Sequence, residues 1–249
     1  MYGETFESPP PEQSWPECQR ILWIHKESGG RYVHIFLPFL QILFEYLLKH
    51  GVRIAFFSSG HKERNLSVLS ELLQFFWGIE KYEELKSKAQ FAIHSTKDDM
   101  QERIRAMFEG ENTVKDLRKV ILDGESLSDI ILVDDDQSYR AYDQKLFIVV
   151  MGLYPAWSSK TSRLNNIYYK LGLFKTYFEH EKYNKLSLRD GLDLILPTEG
   201  SPHPHETRVF ERYFNENHPF AQSMMDIGLF EIRKQFPNAT LYSGRRDYF

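Results

Sequence analysis

Apolar residues along the chain fall into two rhythms: short unbroken runs, and longer stretches in which they recur every three or four positions. Ile21, Leu22, Trp23 and Ile24 form the first unbroken run, the mark of a strand buried on both faces. The stretch 39–50 has helical spacing, with Pro38 at its start and Gly51 just past its end, as helix termini prefer. A second buried strand is expected over 52–57, followed by Ser58, Ser59 and Gly60 and a helix from about 63 to 76. This order implies a parallel sheet with right-handed crossovers. Ligands of such sheets gather at the carboxyl ends of the strands.

Further along, the pattern predicts a short strand at 90–94, a helix around 97–108, and a segment 114–120 leading into a strand at 129–133. An apolar, β-branched run follows at 146–151. Beyond Pro155 the spacing turns helical and aromatic, through Tyr168, Tyr169, Tyr177 and Phe178 and again over 186–194. A loop is expected at 197–205, then a helical stretch 206–236 that Pro219 breaks in two. Residues 1–17, acidic and proline-rich, read as a flexible arm that would bury little on ordering. Residues 18–155 read as one domain, and 156–249 as a mostly helical, aromatic-rich extension packing on it.

Composition narrows the function classes. A chain of 249 residues, 42% hydrophobic and 15% aromatic, suits a folded α/β domain with a sizeable core. Its net charge of -4, with basic residues scattered, gives no electrostatic reason to expect a nucleic-acid partner. Cys18 is the only cysteine, so an intramolecular disulfide and a multi-thiolate zinc site are both excluded. A reducing, cytoplasmic compartment fits. The N-terminus lacks a signal peptide's pattern, and no apolar run approaches the ~20 residues that span a bilayer. Export by a route independent of a signal peptide stays open.

The candidate chemistry begins where Ile130, Ile131, Leu132 and Val133 break into Asp134, Asp135 and Asp136. Lys115-Asp116-Leu117 lies upstream, and the strand ending in Ser58-Ser59-Gly60 lies further back. Together they look like three parts of one phosphoryl-transfer site. Hydroxyl and backbone N–H groups at Ser58 and Ser59 suit a phosphate oxygen, and Lys115 suits the charge of a transferring phosphoryl group. Asp134 and Asp135 suit Mg²⁺, a hard ion that prefers oxygen ligands. Taken singly, each has an ordinary reading as a turn former, a solvated lysine or an acidic cap.

In order and spacing, the segments 52–60, 114–117 and 130–135 resemble the haloacid dehalogenase superfamily, and within it the FCP/SCP-type (NLI-interacting-factor-like) phosphatases. The resemblance covers roughly residues 20–155. It implies a three-layer Rossmannoid parallel sheet with helices on both faces, here with a helical C-terminal extension. It also implies a first strand ending in Asp-x-Asp-x-Thr or Val. In that motif the first aspartate attacks phosphorus and the second exchanges protons as general acid and base.

The matching segment, 21–29, carries His25 and Glu27 at the two aspartate positions. Glu27 can still exchange protons, though its extra methylene displaces the carboxyl group. His25 differs from a carboxylate in shape and charge and is a poor Mg²⁺ ligand, so the ordinary aspartyl-phosphate route is closed there. Leu37 also stands where the family often has an arginine before the proline. Asp134-Asp135-Asp136-Gln137-Ser138 spells Asp-x-Asp-x-Ser, which a permuted arrangement would use, but its place downstream of Lys-Asp-Leu fits the family's last motif better.

His203, His205, Glu206 and His218 have the donor types of a transition-metal site, but Pro202 and Pro204 make an ordinary polar loop. The aromatic set Tyr168, Tyr169, Tyr177, Phe178, Tyr183, Tyr213 and Phe214 reads as core packing, with a few members left for a protein partner. The expectation is a pseudophosphatase, a protein-binding or regulatory module, with no cofactor, or with Mg²⁺ if the site survives. The alternative is an active metal-dependent phosphatase or phosphotransferase in which His25, Glu27 or Asp134 has taken over attack. A third reading is a secreted bacterial effector. Expected partners are a protein and a phosphorylated ligand, with no nucleic acid and no membrane span.

Overall fold

The structure is a computed structural model that describes residues 2–5, 21–25, 31–35, 39–58, 62–95, 115–133, 166–196 and 219–241. The chain divides into two compact units. One is built from Met1–Tyr46, Met151–Thr176 and Glu211–Phe249, the other from Leu47–Val150 and Tyr177–Phe210. The described residues are mixed α/β, with five strands and five α-helices.

In the first unit, β1 (Tyr2–Thr5), β2 (Ile21–His25) and β3 (Arg31–Ile35) form an antiparallel sheet in the order β1-β3-β2. Tyr2–Thr5 lies inside the proline-rich arm of the sequence and forms a strand there, Tyr2 opposite Ile35 and Thr5 opposite Tyr32. The apolar run at 21–24 is a strand as expected, but its pairing is antiparallel rather than parallel. Ile21 faces Ile35 and His25 faces Arg31. The reason lies in the connection. Residues 26–30 are long enough for a hairpin, whereas a parallel partner needs a crossover of roughly a dozen residues or more. An unbroken apolar run is compatible with either.

Helix α1 (Leu40–Lys49) follows. Of the later helices, α3 (Asn166–Glu179) contributes its first eleven residues to this unit and α5 (Pro219–Arg233) all of its length. Pro219 is the first residue of α5, where the proline ring presets a helical φ and the missing N–H has no partner anyway; the part of the expected helical stretch before it, 206–218, lies outside the described residues. Phe39 packs its ring 5.6 Å from Tyr168 and 5.3 Å from Phe236, and the Tyr168 hydroxyl donates to the Thr240 carbonyl at 3.0 Å. Gly172 and Gly228 set how closely α3 and α5 approach. A Cβ at Gly172 would collide with the Met224 carbonyl, and one at Gly228 with that of Tyr168. Of the aromatic set named above, Tyr168, Tyr169 and Tyr177 are buried, while Phe178 and Tyr183 are partly exposed and Tyr213 and Phe214 lie outside the described residues.

In the second unit, β4 (Ile54–Ser58) and β5 (Phe91–Ser95) pair in parallel, with Ile54 beside Phe91 and Ser58 beside Ser95. The crossover is α2 (Lys62–Ser87), which runs well past the expected end at 76. Gly78 breaks it at φ 75, ψ 163, a conformation reserved for glycine, and the second part buries Tyr82 against Phe91 at 5.3 Å. The apolar rhythm fades after Trp77, so the pattern alone stopped short. Side chains alternate along a strand, and the two faces of the pair find different partners. Phe91 meets Trp77 and Tyr82 of α2. Phe57, on the opposite face, packs against Leu117, Val120 and Leu132.

Helix α1 and helix α2 end alike. Val52 N–H bonds the Leu47 carbonyl around Gly51, and Gln90 N–H bonds that of Leu85 around Ala89. Both Gly51 and Ala89 have positive φ, 74 and 50, as this helix-ending motif requires. Helix α4 (Leu188–Ile195) starts at Ser187, whose Oγ accepts from Asp190 N–H.

The strand expected at 129–133 is not formed among the described residues. Leu127–Asp129 is instead a 3-10 turn closed by a capping box, Ser126 Oγ accepting from Ser128 N–H and Asp129 Oδ2 from Ser126 N–H. Within 129–133 the one bridge residue is Leu132; Lys115 is another, upstream. The Ser-x-x-Asp spacing satisfies the backbone locally and outcompetes the apolar pattern up to Ile130. The elements expected at 97–108, 146–151 and 197–205 lie outside the described residues.

Candidate functional site

Ser58 is the last residue of β4, and Phe57 just before it enters the small core of Leu117, Val120 and Leu132, with Leu127 and Ile130 alongside. Leu117 closes the Lys-Asp-Leu segment, and Leu132 lies two residues before Asp134, where the run of carboxylates begins. Three segments widely separated in sequence thus meet through one apolar cluster. That packing brings the residues flanking each candidate motif into one neighbourhood.

Lys115 is buried at 6% exposure. Asp116, beside it, acts locally. Its carboxylate caps the 3-10 turn Leu117–Lys119, accepting from Arg118 N–H at 3.0 Å and holding the Arg118 guanidinium at 2.9 Å. The segment is also tied back to the sheet. Arg53, the residue before Ile54, donates to Glu125 Oε2 at 2.6 Å and to the Val120 carbonyl. The hydrogen bond from Arg53 holds the Glu125 carboxyl below its usual range against the opposing effect of burial. Leu122 N–H adds a second hydrogen bond to the same carboxylate at 2.8 Å.

Two residues that the apolar pattern and the motifs did not single out belong here. Asn65, on the first turn of α2, is fully buried and donates to Ser95 Oγ at 3.4 Å. Ser95 ends β5 in register with Ser58 and is 8% exposed. The available signals were a serine closing an apolar strand, repeated from Ser58, and an asparagine inside a helix, where that residue is a poor former.

His25 closes β2 in the first unit, paired with Arg31. Ser58 and Lys115 lie in the second unit. Glu27, Ser59, Asp134 and Asp135 lie outside the described residues, as do His203, His205, Glu206 and His218, so the expected Mg²⁺ ligands and the alternative metal loop are not part of the described geometry. Among the described residues no group of three His, Cys, Asp or Glu side chains gathers to hold a metal ion. No helix among them is long and apolar enough to cross a membrane. No family model, curated protein or solved structure matches the chain.

Proposed function

We propose that the chain is a pseudophosphatase of the haloacid dehalogenase type, a binding or regulatory module that keeps a phosphate-recognition corner and has lost phosphoryl transfer. The three-layer parallel arrangement of that superfamily is part of the proposal. The observation that carries it is the shared core of Phe57, Leu117 and Leu132, which supports the reading by packing the strand that ends in Ser58 against the segments that follow Lys115 and precede Asp134. Against turnover stands the first motif, where His25 and Glu27 replace both aspartates.

Incubation with para-nitrophenyl phosphate and Mg²⁺ is expected to release no phosphate above the buffer rate. Turnover that disappears in Asp134→Asn would overturn the proposal. A second reading is an enzyme in which His25, Glu27 or Asp134 has taken over attack. A phosphorylated side chain trapped and located by mass spectrometry would establish that reading, and full activity in a His25→Ala, Asp134→Ala double variant would eliminate it.

A further inference from the structure

Among the described residues, the buried polar or charged ones are Asn65, Ser95 and Lys115. All three belong to the second unit, on segments that flank the β4–β5 pair. Burying such groups costs free energy unless their hydrogen bonds are met, and Ser95 receives one of its bonds from Asn65. Ser58 and Ser95 are neighbours in register on parallel strands, so their side chains leave the same face of the sheet about 4.8 Å apart. That spacing suits one acceptor oxygen lying about 2.7 Å from each hydroxyl. Both serines stand at the carboxyl end of their strands, where α/β sheets place ligands.

The hydrogen bond from Asn65 fixes how Ser95 can act. Ser95 Oγ accepts from Asn65 Nδ2, so its own proton is directed away from the amide. The amide thereby orients the hydroxyl as a donor.

We infer that Ser95, oriented by Asn65, is a second hydroxyl donor of the anion corner that Ser58 begins, and that this corner takes the phosphate group of a phosphomonoester or of inorganic phosphate. The inference rests on the phosphate-recognition reading above and extends it to residues on the neighbouring strand and on α2. Ser95 touches the ligand; Asn65 is a positioning residue that acts through it.

The test is calorimetric titration of the full chain with inorganic phosphate and, separately, with O-phosphoserine. Ser95→Ala removes the donor, and affinity for both is expected to fall about tenfold, the worth of one hydrogen bond to a charged group. Asn65→Asp keeps the size of the side chain but turns the Ser95 proton towards a carboxylate and adds like charge beside the ligand. It is expected to weaken binding by more than Ser95→Ala, while Asn65→Gln, which keeps the amide, retains part of it. A purely structural tie between α2 and β5 would lower the urea midpoint in these variants and leave phosphate affinity unchanged, which would overturn the inference. Should the variants not fold, the side-chain amide resonance of Asn65 in the wild-type chain gives the same decision. A shift that saturates with phosphate supports the inference, and an unmoved signal overturns it.

The two arms separate the sources. Tighter binding of O-phosphoserine identifies a phosphomonoester, and equal binding identifies the phosphate group alone. Turnover in the assay above with Ser95-dependent binding defeats the pseudophosphatase reading but not this one. Absence of turnover with Ser95-independent binding does the reverse.

Discussion

Replacing Gly228 by alanine sets two effects against each other, and the helix pair decides the sign. Intrinsic propensity favours the change by about 1 kcal/mol, because alanine is the better helix former. Against it, the added methyl would sit 2.7 Å from the Tyr168 carbonyl carbon and 2.9 Å from its Cα, and nearer still to the oxygen. These are backbone atoms of α3 and cannot rotate away. The helices must part by about 1 Å, enough to forfeit roughly a quarter to a half of each dispersion contact across the seam. The side chains that lose contact include Tyr168, Leu171, Met224, Met225 and Ile232, all buried.

Overpacking of this kind costs about 1–3 kcal/mol or more, and the close backbone approach places it at the upper end, so the net loss is about 2 kcal/mol. Urea unfolding followed by circular dichroism should show the midpoint falling with the slope unchanged. Gly172→Ala should behave alike, since its methyl would meet the Met224 carbonyl carbon at 2.7 Å. The double variant should lose less than the sum, because the first methyl has already opened the seam. A Gly228→Ala variant as stable as the parent, or more so, would refute the close approach of α3 and α5.

Ala89→Gly should stabilise the chain by about 0.5–1 kcal/mol, because the residue ends α2 at φ 50, where glycine carries no Cβ penalty. Thermal denaturation checks it, and a lower melting temperature would count against the left-handed cap. Lys170, on α3, has its ammonium pushed down to about 7 by burial. The unfolded state therefore binds the proton more tightly than the folded one, and stability should rise as pH climbs from about 7 towards the ordinary lysine value near 10.5. Lys170→Met should raise the urea midpoint most at pH 7 and below and least at pH 10, and an equal gain at every pH would show that the ammonium is not desolvated.

The elements were largely legible in the sequence because they rest on local causes. Pro38 and Gly51 bracketed α1, and the strands expected at 52–57 and 90–94 became β4 and β5. The errors share one cause, competition that periodicity does not register. The hairpin length of 26–30 turned β2 antiparallel, the Ser126–Asp129 capping box displaced a strand, and Gly78 let α2 continue beyond the fading of its apolar rhythm. For the candidate site, the order of Ser58, Lys115 and the approach to Asp134 could be read directly. Asn65 and Ser95 could not, because a polar residue shows its role only when its burial and its partner are known.

Caps, prolines, glycines and apolar spacing act within a few residues, so the order of amino acids was enough to place most strands and helices. Strand direction, the pairing of Ser58 with Ser95, the common core of Phe57, Leu117 and Leu132, and the close contact of α3 with α5 emerged only in three dimensions. Those outcomes depend on contacts between residues far apart in the chain, where packing and hydrogen-bond satisfaction, rather than local propensity, select among arrangements that the sequence pattern permits equally.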